Sequence, residues 1–186
     1  ISYIKRNPDE LGVGVLIAIQ SGLRAGEISA LEYSDLDGYL LSVTKTEVRW
    51  VDDEGHYHYD VRHSTKGERG SRKIVVTDEC ARTFEMAKAL CPYSVYLLEK
   101  DGHRIKGHDF SMKLYRICDK LGIPRRSMHK CRKTYATKLL NAGVSEKLVQ
   151  NQMGHTDINT TRSYYWFRNS SSEEDKKAIE EVFKNS

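Results

Sequence analysis

From Asp9 to Gln20 the apolar residues Leu11, Val15, Leu16 and Ile19 recur at helical spacing, which predicts an amphipathic helix. Asn7-Pro8-Asp9-Glu10 suits its start, with proline near the first turn and acids at the positive end, and Ser21-Gly22 suits its stop. Leu23 to Ile28 leads into a second helix through Leu31, and Asp35-Leu36-Asp37-Gly38 is a turn. The pattern then changes period. Tyr39 to Val51 alternates as a strand does, with Val43, Val48 and Trp50 favouring extended chain. After the polar turn Asp52-Asp53-Glu54-Gly55 comes a return strand, Tyr57 to Val61. A second turn, Gly67-Glu68-Arg69-Gly70, leads into a third strand, Arg72 to Val76. These predict a three-stranded antiparallel sheet with Lys66 at the tip of the second hairpin.

The rest of the chain reads as helices. Thr77-Asp78 caps one that runs to about Leu90, and Pro92 breaks it. Asp101-Gly102 turns the chain. Ser111 to Leu121 is a basic amphipathic helix, closed by Gly122 with Pro124 beyond. Ser127 caps a helix containing His129 and running to about Leu140, and Asn141-Ala142-Gly143 ends it. Ser145 caps a shorter helix, Asp157 to Tyr165 reads as a helix or turn, and Ser171 to Glu174 opens a final charged helix with Ile179, Val182 and Phe183 on one side. No repeat, low-complexity tract or linker interrupts this order. The expected class is α+β, mainly α-helical, with one small three-stranded antiparallel sheet, and 186 residues suit a single domain.

Charge sharpens the picture. The net charge of +4 conceals an acidic beginning: residues 1–60 carry 5 Lys/Arg against 11 Asp/Glu, whereas residues 100–138 carry 12 against 3. The basic stretch leads into His129 and Arg132, which favours a polyanionic partner over a small substrate; a solvated helix face is the plainer alternative. No apolar run approaches membrane-spanning length, and residues 1–9 lack the apolar core of a secretory leader. Cys80, Cys91, Cys118 and Cys131 show no C-x-x-C spacing, so a reducing cytoplasm is expected and neither zinc nor a disulfide framework is. His56 and His58 could share a metal on the hairpin or simply point outward. His103 and His108 flank Lys106 in a basic loop, where contact with a nucleic-acid backbone suits them better than metal binding.

One stretch concentrates chemistry. His129 and Arg132 lie three apart, so a helix start places them on one face. Met153-Gly154-His155 and Thr160-Thr161-Arg162-Ser163-Tyr164-Tyr165 come next. A guanidinium forks two phosphate oxygens, an imidazole donates or accepts near neutral pH, and a phenol can carry a covalent phosphoryl group. Together they suit attack on a phosphodiester without a metal.

These residues resemble the tyrosine recombinase (phage integrase) family. Its H-x-x-R box corresponds to His129 and Arg132, its G-H to Gly154-His155, and its nucleophile stands nine residues after that histidine, at Tyr164. Gly22-Leu23-Arg24-Ala25-Gly26-Glu27 is similar to the family's G-L-R-x-x-E box, with Glu27 bracing Arg24 or its loop. The hairpin from Lys66 to Ile74 is similar to its lysine hairpin, one residue looser before Ser71; Lys73 and Lys45 are also near in sequence. Cys131 and Lys133 depart from the usual H-x-L-R-H.

The resemblance implies a set of roles. Tyr164 is the nucleophile, Arg24, His129, Arg132 and His155 surround the phosphate, and Lys66 protonates the leaving oxygen. It also implies contacts to double-stranded DNA at specific recombination sites, for which Lys106, Lys113, Arg125, Arg126, Lys130 and Lys133 are the candidates. No cofactor is expected. A homo-oligomer, a tetramer on DNA, and an accessory excision or directionality factor are expected partners. Residues 1–186 are then the catalytic domain, without the helical DNA-binding domain that precedes it in the family. The final helix is similar to the family's C-terminal segment that docks on a neighbouring subunit, and packing on its own domain is the alternative. The long hairpin from Tyr39 to Arg62 is similar to that of integrases of phages and conjugative elements, which favours integration or excision of a mobile element. A type IB topoisomerase uses the same residue types, and a catalytically silent DNA-binding module is the other rival.

Overall fold

The computed structural model of the protein describes residues 1–63, 71–155 and 159–160. Its centre is helix α2 (Glu10–Ser21), which comes after the short α1 (Ser2–Arg6). Asp9 caps α2 by accepting from Gly12 N–H at 2.7 Å, and Gly22 ends it in the left-handed region at φ 70°. Every residue from Gly12 to Ala18 is buried, so the helix is apolar on all sides and must be covered on all sides. Three helices do this: α4 (Asp78–Leu90), α5 (Gly107–Lys120) and α6 (Met128–Asn141). Gly14 lets α5 approach closely, because a Cβ there would lie 2.2 Å from the Phe110 ring.

Capping residues act where the sequence suggests. Thr77 accepts from Cys80 N–H at 3.2 Å, and Ser127 accepts from Lys130 N–H at 3.2 Å. Ser145 caps α7 (Glu146–Met153) by accepting from Leu148 N–H at 3.3 Å. Helix α5 begins four residues before the expected Ser111. Asp109 accepts from Lys106 N–H at 3.1 Å, and Gly107 lets the helix start rest on the backbone of α3 (Ala25–Ser29), a Cβ there lying 3.1 Å from Ala25 C. That long-range packing leaves no local periodic signal.

The three-stranded antiparallel sheet is present, but its strands differ from those expected. It runs β1 (Leu36–Asp37), β2 (Leu40–Val43), β5 (Arg72–Val75), with Leu41 opposite Ile74. The alternating stretch breaks at Thr44. Beyond it, β3 (Lys45–Val51) and β4 (Tyr57–His63) pair only with each other. Residues 40–43 and 72–75 bury Leu41, Val43 and Ile74, whereas the outer hairpin buries none of its side chains fully. An alternating pattern shows that a segment can pair, not that a core lies beneath it. Within the hairpin Trp50 stacks on His58 at 4.3 Å; from outside it, Lys106 lies 4.5 Å over the Tyr59 ring and Gly107 N–H donates to Glu47 Oε1 at 3.0 Å. Strands β6 (Glu99–Lys100) and β7 (His103–Arg104) form a third small pairing around the Asp101-Gly102 turn.

Candidate functional site

Arg132 lies on the buried stripe of α6, in phase with Ala136 and Leu140, and is only 2% exposed. Its guanidinium joins two distant loops. Nη1 donates to the Gly22 carbonyl at 2.7 Å, and Nη2 donates to the Met153 carbonyl. Two residues beyond the first carbonyl stands Arg24, and two beyond the second stands His155. The helix-internal arginine thus places the loop arginine and the loop histidine around itself. Three residues N-terminal to it, His129 occupies the exposed first turn of α6.

Arg24 is the N-cap residue of α3, and its side chain is 47% exposed, open to an incoming ligand. Glu27 braces it: Oε2 accepts from Arg24 N–H at 2.8 Å and Oε1 from Arg24 Nη1 at 2.8 Å. Glu27 is also forked by Arg72, with Nη1 at 2.9 Å and Nη2 at 3.0 Å. Burial alone would raise the Glu27 carboxyl. The Arg72 fork, the Arg24 backbone N–H and both arginine charges outweigh it and hold the group down to about 2, against 4.5 ordinarily.

Because that value is depressed in the folded state, its stabilisation is complete above the unfolded value of about 4.5 and is lost as pH falls toward about 2. The span corresponds to about 3 kcal/mol. Urea denaturation of the wild type should therefore show stability falling across that window, and Glu27→Gln should flatten the fall while being less stable at pH 7.

His155 is half-buried among these cations. Burial, then the charges of Arg132, Arg24, Arg72 and His129, lower its imidazole from 6.5 to about 4. At neutral pH His155 is an uncharged donor in a strongly positive pocket. Such a pocket is complementary to an oxyanion and favours charge that develops there.

The other expected residues are divided between the described chain and the rest. Lys66 and Tyr164 lie outside the described residues, as do Thr161, Tyr165 and the final helix. Lys45 does not reach the pocket as a donor. Its side chain is 9% exposed and held at 2.7 Å from Glu32 and 3.2 Å from Asp35. Burial would lower it, but the two carboxylates raise it on balance and keep it charged. Lys73 is exposed on the face of β5 opposite to Arg72.

Among the six expected DNA contacts, Arg126, Lys130 and Lys133 line a cleft of about 620 Å³ with Ile19, Tyr135 and Lys138. Lys106 is exposed at the start of α5. Lys113 and Arg125 meet competing partners. Lys113 pairs with Asp9, the cap of α2, and Arg125 forks Asp119 at 2.9 and 2.8 Å. Their charges are already engaged within the protein.

Arg72 and Gln152 also belong to this site. Arg72 falls within the hairpin motif from Lys66 to Ile74, which assigns it no role, and no motif marks Gln152. A physical signal also exists for Arg72. It shares the inward face of β5 with Ile74, and Val76 just beyond the strand is buried as well, so a charge there demands a buried partner.

The sequence matches the profile of the phage integrase family over residues 6–170. A tyrosine recombinase XerC-like protein of Caldanaerobacter subterraneus is 29% identical over 170 residues, covering 81% of this chain and 44% of the relative. The transposase from transposon Tn916 of Enterococcus faecalis is 27% identical over 178 residues, covering 86% and 42%. This chain therefore spans less than half the length of these curated relatives. Among solved structures, the Tn1549 transposon integrase in complex with transposon right end DNA superposes with a TM-score of 0.78 at 23% identity, over 97% of this chain and 62% of that one. The XerA recombinase superposes with a TM-score of 0.71 at 17% identity, over 97% and 58%. The fold is shared with both.

Proposed function

The chain belongs to the phage integrase family, and on that premise we propose that it is the catalytic domain of a site-specific DNA recombinase serving a mobile element. Tyr164 attacks a scissile phosphate, its phenolic oxygen bonding to phosphorus as the bond to the 5′ oxygen breaks. The product is a 3′-phosphotyrosyl ester and a free 5′-hydroxyl. A 5′-hydroxyl from a second duplex then attacks the ester, releases Tyr164 and joins the strands. The ester retains the energy of the broken bond, so the reading requires neither ATP nor a divalent metal.

The observation that carries the proposal is the pair of bonds from Arg132 to the Gly22 and Met153 carbonyls, which holds the turn bearing Arg24 and the loop bearing His155 on either side of one guanidinium. Arg24 meets one side of the phosphate from its exposed loop, while Arg132 fixes the loops on either side. Neutral His155 donates a hydrogen bond to a non-bridging oxygen. The same cations ease loss of the phenolic proton, which a free tyrosine holds until about pH 10. Lys66 gives its proton to the leaving 5′ oxygen. Charge stabilisation and positioning supply the larger part of the acceleration.

The test is a duplex nicked just beyond the scissile phosphate, so that the short leaving fragment diffuses away. A denaturation-resistant protein–DNA adduct whose DNA maps to the Tyr164 peptide is the expected product. Stable binding to such duplexes with no adduct under any condition would instead indicate a silent DNA-binding module.

The partners come from the same reading: double-stranded DNA at specific sites, a tetramer on paired sites, and an accessory factor that sets direction, all in the cytoplasm. The Tn1549 integrase was solved on its transposon end DNA, and this chain shares its fold. No described helix is long and apolar enough to cross a membrane. Affinity should come chiefly from phosphate contacts. If four to six phosphates are neutralised, raising salt from 50 to 200 mM should weaken binding by about 10²–10³-fold. A titration by fluorescence anisotropy checks this, and a flat salt response would contradict it.

A further inference from the structure

Two polar side chains outside this chemistry connect its parts. Gln152 is buried near the end of α7, three residues before His155. Its amide treats β5 as a neighbouring strand would. Oε1 accepts from Val75 N–H at 2.8 Å, and Nε2 donates to the Val75 carbonyl at 2.8 Å. Nε2 also reaches Tyr135 Oη at 3.2 Å. Arg72, at the other end of β5, donates from Nε to the Gln152 backbone carbonyl at 3.2 Å while its two terminal nitrogens fork Glu27. Gly154 fits directly over it, since a Cβ there would stand 2.9 Å from Arg72 Cδ. The segment leading to His155 is therefore tied to β5 twice, and through Arg72 and Glu27 to the turn that presents Arg24.

We propose that Gln152 and Arg72 form a positioning latch that clamps the end of α7 onto β5 and Glu27, and thereby sets the separation of His155 from Arg24. The use of that separation, to grip a scissile phosphate, rests on the recombinase reading; the latch itself does not. Neither residue touches the reacting atoms. A backbone-like pairing made by a side chain fixes both the height and the rotation of the helix end. The arginine fork fixes its distance from α3, which a single hydrogen bond would leave loose.

Gln152→Leu removes both bonds to Val75 at similar volume, and Arg72→Lys keeps a charge beside Glu27 but cannot fork it. Each is compared with wild type in two measurements. The first is single-turnover covalent capture of the nicked duplex at saturating protein, with the apparent Kd measured separately. Capture should slow by about 10–100-fold, the scale of a misplacement near 1 Å, with the Kd within about threefold. The combined variant should be little slower than the worse single one, because both act on one geometry.

The second measurement is the NMR titration of His155 in histidine-labelled protein without DNA. Its midpoint should rise from about 4 in both variants. Folded variants that capture DNA at the wild-type rate with an unmoved His155 midpoint would overturn the latch. If wild type captures no DNA, the recombinase reading fails, and the His155 titration still decides the latch. Should Gln152→Leu not fold, Arg72→Lys carries both measurements.

Discussion

Tyr164→Phe should bind the nicked duplex as wild type does and capture none of it, a loss of about 10⁴-fold or more, as for removal of a covalent nucleophile elsewhere. The substitution deletes one oxygen and leaves the ring, so the cationic pocket and the phosphate contacts persist. What disappears is the atom that bonds to phosphorus. The adjacent Tyr165 makes the comparison sharp, because Tyr165→Phe should capture DNA at close to the wild-type rate. The measurement is a denaturing gel of labelled DNA, read alongside a native-gel binding curve. Capture by Tyr164→Phe together with loss in Tyr165→Phe would move the nucleophile by one residue. Capture by both would overturn Tyr164 as the required nucleophile.

Arg132→Ala should abolish capture and destabilise the fold at once. Its guanidinium is the donor to both the Gly22 and the Met153 carbonyls inside the protein. Truncation leaves two buried acceptors short of a donor, at about 1–3 kcal/mol each, and opens a cavity between α6 and the two loops. About 3–5 kcal/mol is a large fraction of the stability of an ordinary domain. The melting temperature should fall by roughly 6–20 °C for a chain of this size.

Arg132→Lys keeps the charge, but one ammonium cannot span both carbonyls in the plane that a guanidinium does. It should recover part of the stability and little of the capture. Scanning fluorimetry read beside the capture assay separates the two losses. An unchanged melting temperature for Arg132→Ala would show that the two carbonyls do not depend on it.

The helices are largely legible in the sequence because their signals are local. Asp9, Thr77, Ser127 and Ser145 cap helices at the expected places, and Gly22 and Gly154 end two of them with positive φ. The sheet is legible in kind but not in membership. Alternation from Tyr39 to Val51 gives no sign that the chain leaves one sheet at Thr44 and pairs elsewhere.

The site is legible where residue type and spacing coincide, as at His129 and Arg132. It is opaque where a role depends on distant packing. Nothing near Gln152 announces that its amide will meet Val75, 77 residues earlier. Lys45 and Lys73 both look available as proton donors beside Lys66, and only the positions of Glu32 and Asp35 show that Lys45 is committed to the fold.

The bond between Arg132 and the Gly22 carbonyl spans 110 residues. A ribosome adds about 5–20 residues per second, so the turn bearing Arg24 emerges several seconds before α6 exists to secure it. During that interval α2, whose residues Gly12 to Ala18 are all buried in the finished protein, has neither α5 nor α6 to cover it. The nascent chain therefore exposes that apolar surface until α6 has been translated, at residue 141. A messenger truncated before that point yields a polypeptide with an uncovered central helix, fit for proteolysis and without partial activity.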